Sequence, residues 1–104
     1  MKLLLVAEYR DGQALGSANE LIAFAEKVGG EHAMFMVGSE SSLPQYDGKL
    51  FLADASKHGE YSPTVHKQLL LDVIARETPE MIVFCHSSYG WDLAPRVAWA
   101  LKAG

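Results

Sequence analysis

The sequence predicts an α/β domain, an open and mostly parallel sheet flanked by helices. Three observations carry that prediction. Leu3–Ala7, Ala33–Val37 and Met81–Cys85 are apolar runs of strand length without polar alternation, so they read as strands buried on both faces. Segments of helical period, with start and stop signals, lie between them. The two kinds of segment alternate along the chain, which implies parallel strands joined by helical crossovers.

The first strand is Leu3–Ala7, and Asp11-Gly12 marks a turn after it. Ser17-Ala18-Asn19-Glu20 is a capping-box pattern, in which the serine hydroxyl accepts from the Glu20 amide. Leu21, Ile22, Ala25 and Val28 then mark one helix face, and Gly29-Gly30 ends the helix. Ala33–Val37 is the second strand. Gly38 to Gly48 is a Ser-, Gly- and Pro-bearing loop, and Lys49–Ala53 is a short third strand. Ser62-Pro63 starts a helix with a capping residue and a first-turn proline. Val65, Leu69, Val73 and Ile74 are its expected buried face, and Pro79 stops it near Glu77. Met81–Cys85 is the fourth strand, His86 to Gly90 a loop, and Leu93 to Leu101 a last helix. The predicted order is β-α-β-β-α-β-α. The chain ends where a further strand normally follows a helix, so the sheet is expected to lack its final strand. Open edges invite pairing, which predicts self-association.

Composition narrows the function. The chain has 104 residues, 49% of them hydrophobic, and one domain spanning residues 1–104 is expected. Thirteen acidic and nine basic side chains give a net charge of −4 with no basic stripe, which argues against nucleic-acid binding. No apolar run approaches the ~20 residues that span a bilayer. The N-terminal apolar stretch is too short for a signal peptide and meets Glu8 and Arg10 at once, so the cytoplasm is the expected location. Cys85 is the single cysteine, set in an apolar strand as an inert buried thiol. His32, His58, His66 and His86 show no metal-ligand spacing, and no metal site is expected.

In open α/β sheets, ligands sit beyond the C-terminal strand ends, where strand order reverses. Two loops matter there, Glu8–Gly12 and His86–Asp92. The second leads into a helix N-terminus, a natural anion site, with Ser87, Ser88 and Gly90 as candidate nucleotide-loop residues. The plainer reading is that Ser88 or Asp92 caps the helix. No glycine-rich phosphate motif occurs anywhere in the chain. His86 and Ser87 are adjacent and point apart, and no nucleophile elbow exists, so no catalytic residues are assigned. Arg96 falls early in the last helix, where the dipole disfavours a cation. Its partner is either Asp92, four residues earlier, or a carboxylate of another subunit or domain. Tyr89, Trp91 and Trp99 gather large aromatics around the same helix, and an exposed Trp91 points to a partner surface.

Val6-Ala7-Glu8 with Arg10-Asp11-Gly12 resembles the opening of the α subunit of electron transfer flavoproteins. Ser88-Tyr89-Gly90-Trp91-Asp92-Leu93-Ala94-Pro95-Arg96-Val97-Ala98 resembles that family's signature after its fourth strand, a Ser-x-x-Gly-x-Asp-Leu-x-Pro-Arg run. The intervening order of elements fits as well, so the resemblance covers nearly the whole chain. Trp91 stands where the family usually has Lys or Arg, and His86 where small residues are usual. The resemblance implies an N-terminal domain alone, with an adenine nucleotide α-hydrolase-like fold. It implies that FAD belongs to a C-terminal domain absent from this chain, and no cofactor is expected here. The implied partner is the electron transfer flavoprotein β subunit, which holds the family's AMP. The implied role is structural and docking, without chemistry of its own, in a heterodimeric carrier that takes electrons from dehydrogenases to an acceptor. Tyr89, Trp91, Asp92 and Arg96 are the candidate partner-interface residues. The alternative is a stand-alone adenine-nucleotide-binding module like universal stress proteins, using Ser87, Ser88 and Gly90.

Overall fold

The computed structural model describes residues 2–10, 13–14, 17–39, 46, 48–54, 63–85 and 88–103. In chain order its elements are β1 (Leu3–Val6), β2 (Tyr9–Arg10), β3 (Gln13–Ala14), α1 (Ser17–Val28), β4 (His32–Gly38), β5 (Lys49–Asp54), α2 (Pro63–Glu77), β6 (Met81–Phe84) and α3 (Ser88–Ala103). The main sheet runs β5-β4-β1-β6 with every pair parallel. The predicted open parallel sheet with flanking helices is therefore present. β1 is the central strand, so Leu3, Leu4, Leu5 and Val6 are all buried. β5 and β6 form the edges of the described sheet, and their residues are only half-buried.

Register fixes the two faces. Phe35 of β4 lies level with Phe51 of β5, with Val6 of β1 and, through Val6, with Phe84 of β6. Phe35 and Phe51 line a groove with Leu69 and Val73 of α2, so this is the face that α2 covers. α3 packs against α2 and β6 and shares that face. The crossover through α1 joins adjacent strands in the opposite direction, so the right-handed rule puts α1 on the other face. Tyr9 packs there, close over Gly38 and Met36.

Helix ends follow local chemistry. Gly29 and Gly30 take φ of +77° and +86°, and the Gly29 N–H donates to the Ala25 carbonyl at 2.9 Å. α2 stops differently. Thr78 takes φ of +45°, its N–H donates to the Ile74 carbonyl, and Pro79 prevents continuation. Beneath the sheet, the Glu77 carboxylate lies 3.7 Å from Lys2 Nζ and 3.3 Å from Lys49 Nζ, tying α2 to the segments that begin β1 and β5.

The structure corrects several expectations. Two short strands, β2 and β3, pair antiparallel with Arg10 opposite Gln13. Asp11-Gly12, the expected turn, lies outside the described residues. On α1, Leu21 and Ala25 are buried as expected, joined by Ala18, whereas Val28 in the last turn is exposed. On α2 the inward stripe is His66, Leu70, Val73 and Glu77, and Val65 is exposed. Val73 is buried as expected and Leu69 and Ile74 pack half-buried against the core, while the polar His66 and Glu77 at the two ends of the stripe escape the apolar pattern. α3 begins at Ser88, five residues before the expected Leu93. Ser62 and most of the Gly38–Gly48 loop lie outside the described residues, and for Ser17 only the backbone is described.

Candidate functional site

The chain runs from β1 outward to β4 and β5, then returns to β6 on the other side of β1. Strand order therefore reverses between β1 and β6, and the two segments singled out in the sequence meet there. Glu8 follows β1, while Cys85 and the start of α3 follow β6. This is the position where open α/β sheets take ligands.

Two described features stand at it. A Cβ on Gly90 would stand 2.0 Å from the Cys85 carbonyl oxygen. The first turn of α3 thus sits directly on the end of β6, and the missing side chain accommodates the protein's own backbone. Glu8 is 2% exposed. Strand alternation turns it to the same face as Leu4 and Val6, toward α2 and α3. His66 of α2 is fully buried, and its Nδ1 lies 3.2 Å from the Tyr89 hydroxyl of α3 in a hydrogen bond. The rings meet edge-on, with centroids 5.7 Å apart. A buried carboxylate, an imidazole and a phenol thus occupy the face beneath the strand reversal. Sequence reasoning assigned no role to Glu8 or His66. The signal for Glu8 was present, a charge set directly after an unbroken apolar run.

The candidate residues divide between interior and surface. Tyr89 is buried between α2 and α3, which makes it a packing residue of this domain. Asp92 and Arg96 are about half exposed and paired within α3. Arg96 Nε donates to Oδ2 and Nη2 to Oδ1, each at 3.3 Å. Because α3 begins at Ser88, Arg96 is past the first turn, and the expected dipole penalty does not arise. Such an exposed helical pair contributes about 0.3–0.5 kcal/mol. Trp91 is 66% exposed and Trp99 73%. Ser87 and His86 lie outside the described residues, and for Ser88 only the backbone is described.

Two cavities lined by described residues adjoin the sheet. The groove between α2 and the β4–β5 edge holds about 210 Å³, with an apolar floor and Asp72 and Arg76 on its wall. The other, about 310 Å³, opens at the C-terminal ends of β4 and β5 and is lined by Gly38, Ser39, Leu52 and Asp54. Pockets that engulf a drug-sized ligand span about 300–1,000 Å³. In the second cavity the Asp54 carboxylate would oppose a diphosphate. Among them, no group of three or more His, Cys, Asp or Glu is placed to hold a metal ion, and His58 lies outside them. No described helix is long and apolar enough to cross a membrane.

Fold and site together define a doubly wound α/β domain in which Gly90 is closed onto Cys85 and Glu8 is buried at the strand reversal. Comparison with known proteins agrees. The model of the electron transfer flavoprotein domain matches residues 3–104, and the chain belongs to that family. It is 27% identical over 111 residues to the electron transfer flavoprotein subunit alpha of Bacillus subtilis (strain 168), covering 99% of this chain and 34% of the relative. It is 28% identical over 107 residues to the acryloyl-CoA reductase electron transfer subunit beta of Anaerotignum propionicum, covering 93% of this chain and 29% of the relative. The chain thus spans about a third of the length of these relatives.

Proposed function

We propose that this chain is a structural and docking domain of an electron transfer flavoprotein, with no chemistry of its own. It packs against a second electron transfer subunit, the β subunit of the family, inside the cytoplasm. The FAD of the assembled carrier is held by residues outside this chain. The assembled carrier takes electrons from dehydrogenases to an acceptor. The observation that carries this reading is the family match over residues 3–104 on a chain a third as long as its electron-transfer relatives. Support comes from the reversal crevice, where Gly90 is closed onto Cys85 and Glu8 is turned inward. The exposed part of the signature run, Trp91, Asp92 and Arg96, is the docking surface.

Co-expression with an electron transfer flavoprotein β subunit, followed by native mass spectrometry, tests it. The expected result is a one-to-one complex in which this chain alone carries neither FAD nor adenine nucleotide. Trp91→Ala with Arg96→Glu should weaken that complex at least tenfold. An adenine nucleotide or FAD on the isolated chain, or no complex at all, would overturn the reading.

A further inference from the structure

The stripe of α2 that faces β5 carries two charges among its apolar residues. Leu69, Asp72, Val73 and Arg76 stand three and four residues apart, so they share one side of the helix. All four line the groove at the β4–β5 edge, together with Phe35 and Phe51. Asp72 and Arg76 have the spacing of an ion pair within a helix. On α3 the same spacing is paired, with Arg96 Nε 3.3 Å from Asp92. On α2 the charges stay apart. Asp72 accepts from Gln68 Nε2 at 3.5 Å, and among the described residues Arg76 reaches no carboxylate within 4.0 Å.

We infer that this groove binds a free amino acid with a large apolar side chain. Each part of such a molecule has its counterpart. The side chain lies on Phe35, Phe51, Leu69 and Val73, and the two rings favour an aromatic one. The ammonium meets the Asp72 carboxylate, and the carboxylate meets the Arg76 fork. Asp72 and Arg76 are one turn apart, about 6 Å along the helix axis. An ammonium and a carboxylate borne on one carbon fit between them. Size agrees. A cavity of about 150 Å³ holds benzene. This one, at about 210 Å³, holds a ring with a short chain.

Other occupants satisfy less of the wall. A purely apolar face laid on the groove would cover both charges without a counter-charge, which is costly. A fatty acid pairs Arg76 but sets its carboxylate beside Asp72. A peptide end brings one charge, because the opposite charge stands at the far end of its chain. A free amino acid answers both. With about 12 non-hydrogen atoms in an open groove, its binding is weak, with a dissociation constant of about 1 mM. The groove lies on the β5 side of α2, whereas α3 packs toward β6. The inference therefore does not depend on the partner-subunit reading.

Titration of the ¹⁵N-labelled chain with L-phenylalanine, followed by amide NMR shifts, tests the inference. The expected result is saturable shifts of the Phe51 and Ala53 amides with a dissociation constant of about 1 mM. Phenethylamine lacks the carboxylate and 3-phenylpropionate lacks the ammonium, and each should bind about tenfold more weakly. Asp72 and Arg76 are exposed, so variants at both should keep the fold, with an unchanged circular dichroism spectrum. Arg76→Gln should weaken L-phenylalanine about tenfold and leave phenethylamine no weaker. Asp72→Asn should weaken L-phenylalanine likewise and leave 3-phenylpropionate no weaker. Absence of shifts at concentrations about tenfold above the expected constant overturns the inference. So does either analogue binding as tightly as L-phenylalanine, or either variant retaining full affinity for it. Whether a β subunit binds the chain is read separately, by the co-expression experiment.

Discussion

The Tyr89 hydroxyl and His66 Nδ1 form a hydrogen bond of 3.2 Å that joins α2 to α3 inside the core. His66 occupies the inward stripe of α2, where an aliphatic residue would ordinarily stand. A fully buried imidazole is costly unless hydrogen-bonded. Tyr89→Phe keeps the ring and deletes the hydroxyl. We expect a loss of about 1–3 kcal/mol, read as a lower urea midpoint at unchanged slope. An unchanged midpoint would show that the bond contributes nothing to stability.

Gly90 supplies the second prediction. Its absent side chain lets the first turn of α3 rest on the Cys85 carbonyl, and any Cβ there would overlap backbone rather than a yielding side chain. Helix propensity alone favours alanine over glycine by about 1 kcal/mol. Steric overlap should outweigh it, so Gly90→Ala should destabilise by about 1–3 kcal/mol or more. Thermal unfolding decides the sign, and a higher midpoint would refute the close approach.

Thr78 offers a change in the opposite direction. It is a β-branched residue at φ of +45°, where such side chains are strained. Its hydroxyl donates to the Glu77 carbonyl at 2.8 Å, a partial compensation. Glycine takes this conformation freely and is the usual residue at such helix ends. Thr78→Gly should therefore stabilise the domain by up to about 1 kcal/mol in urea titration. A clear loss would mean that the hydroxyl bond outweighs the strain.

Much of this was legible in the sequence, and the misses share a cause. The central strand and the span of α2 followed from apolar runs and from Pro63 and Pro79, signals that act locally. The inward face of α2 followed only in part, at Val73 with Leu69 and Ile74 beside it, because hydrophobicity cannot show that His66 and Glu77 face inward. Each has a partner distant in sequence, Tyr89 for the first and Lys2 with Lys49 for the second. The start of α3 was missed for a similar reason. Gly90 reads as a loop residue until the end of β6 lies beneath it. At the candidate site, the Asp92–Arg96 pair follows from spacing alone, while the outward direction of Trp91 and Trp99 requires knowing where Leu93 and Val97 are buried.

The last prediction concerns alkaline pH. The Tyr46 hydroxyl lies 2.7 Å from His32 Nδ1, and burial pushes its pKa from 10.0 up to about 12. In the unfolded chain the phenol returns to its ordinary value. The native state therefore holds this proton more tightly than the unfolded state does. The resulting stability is fully present below pH 10 and is lost as pH rises from 10 toward 12. Urea midpoints across this range should fall more steeply for the natural chain than for Tyr46→Phe, which has no proton to lose there. The tyrosinate difference spectrum between the two proteins should likewise rise near pH 12, not pH 10. Equal slopes, or a rise near pH 10, would show that the phenol is solvated and that its contact with His32 does not shelter it.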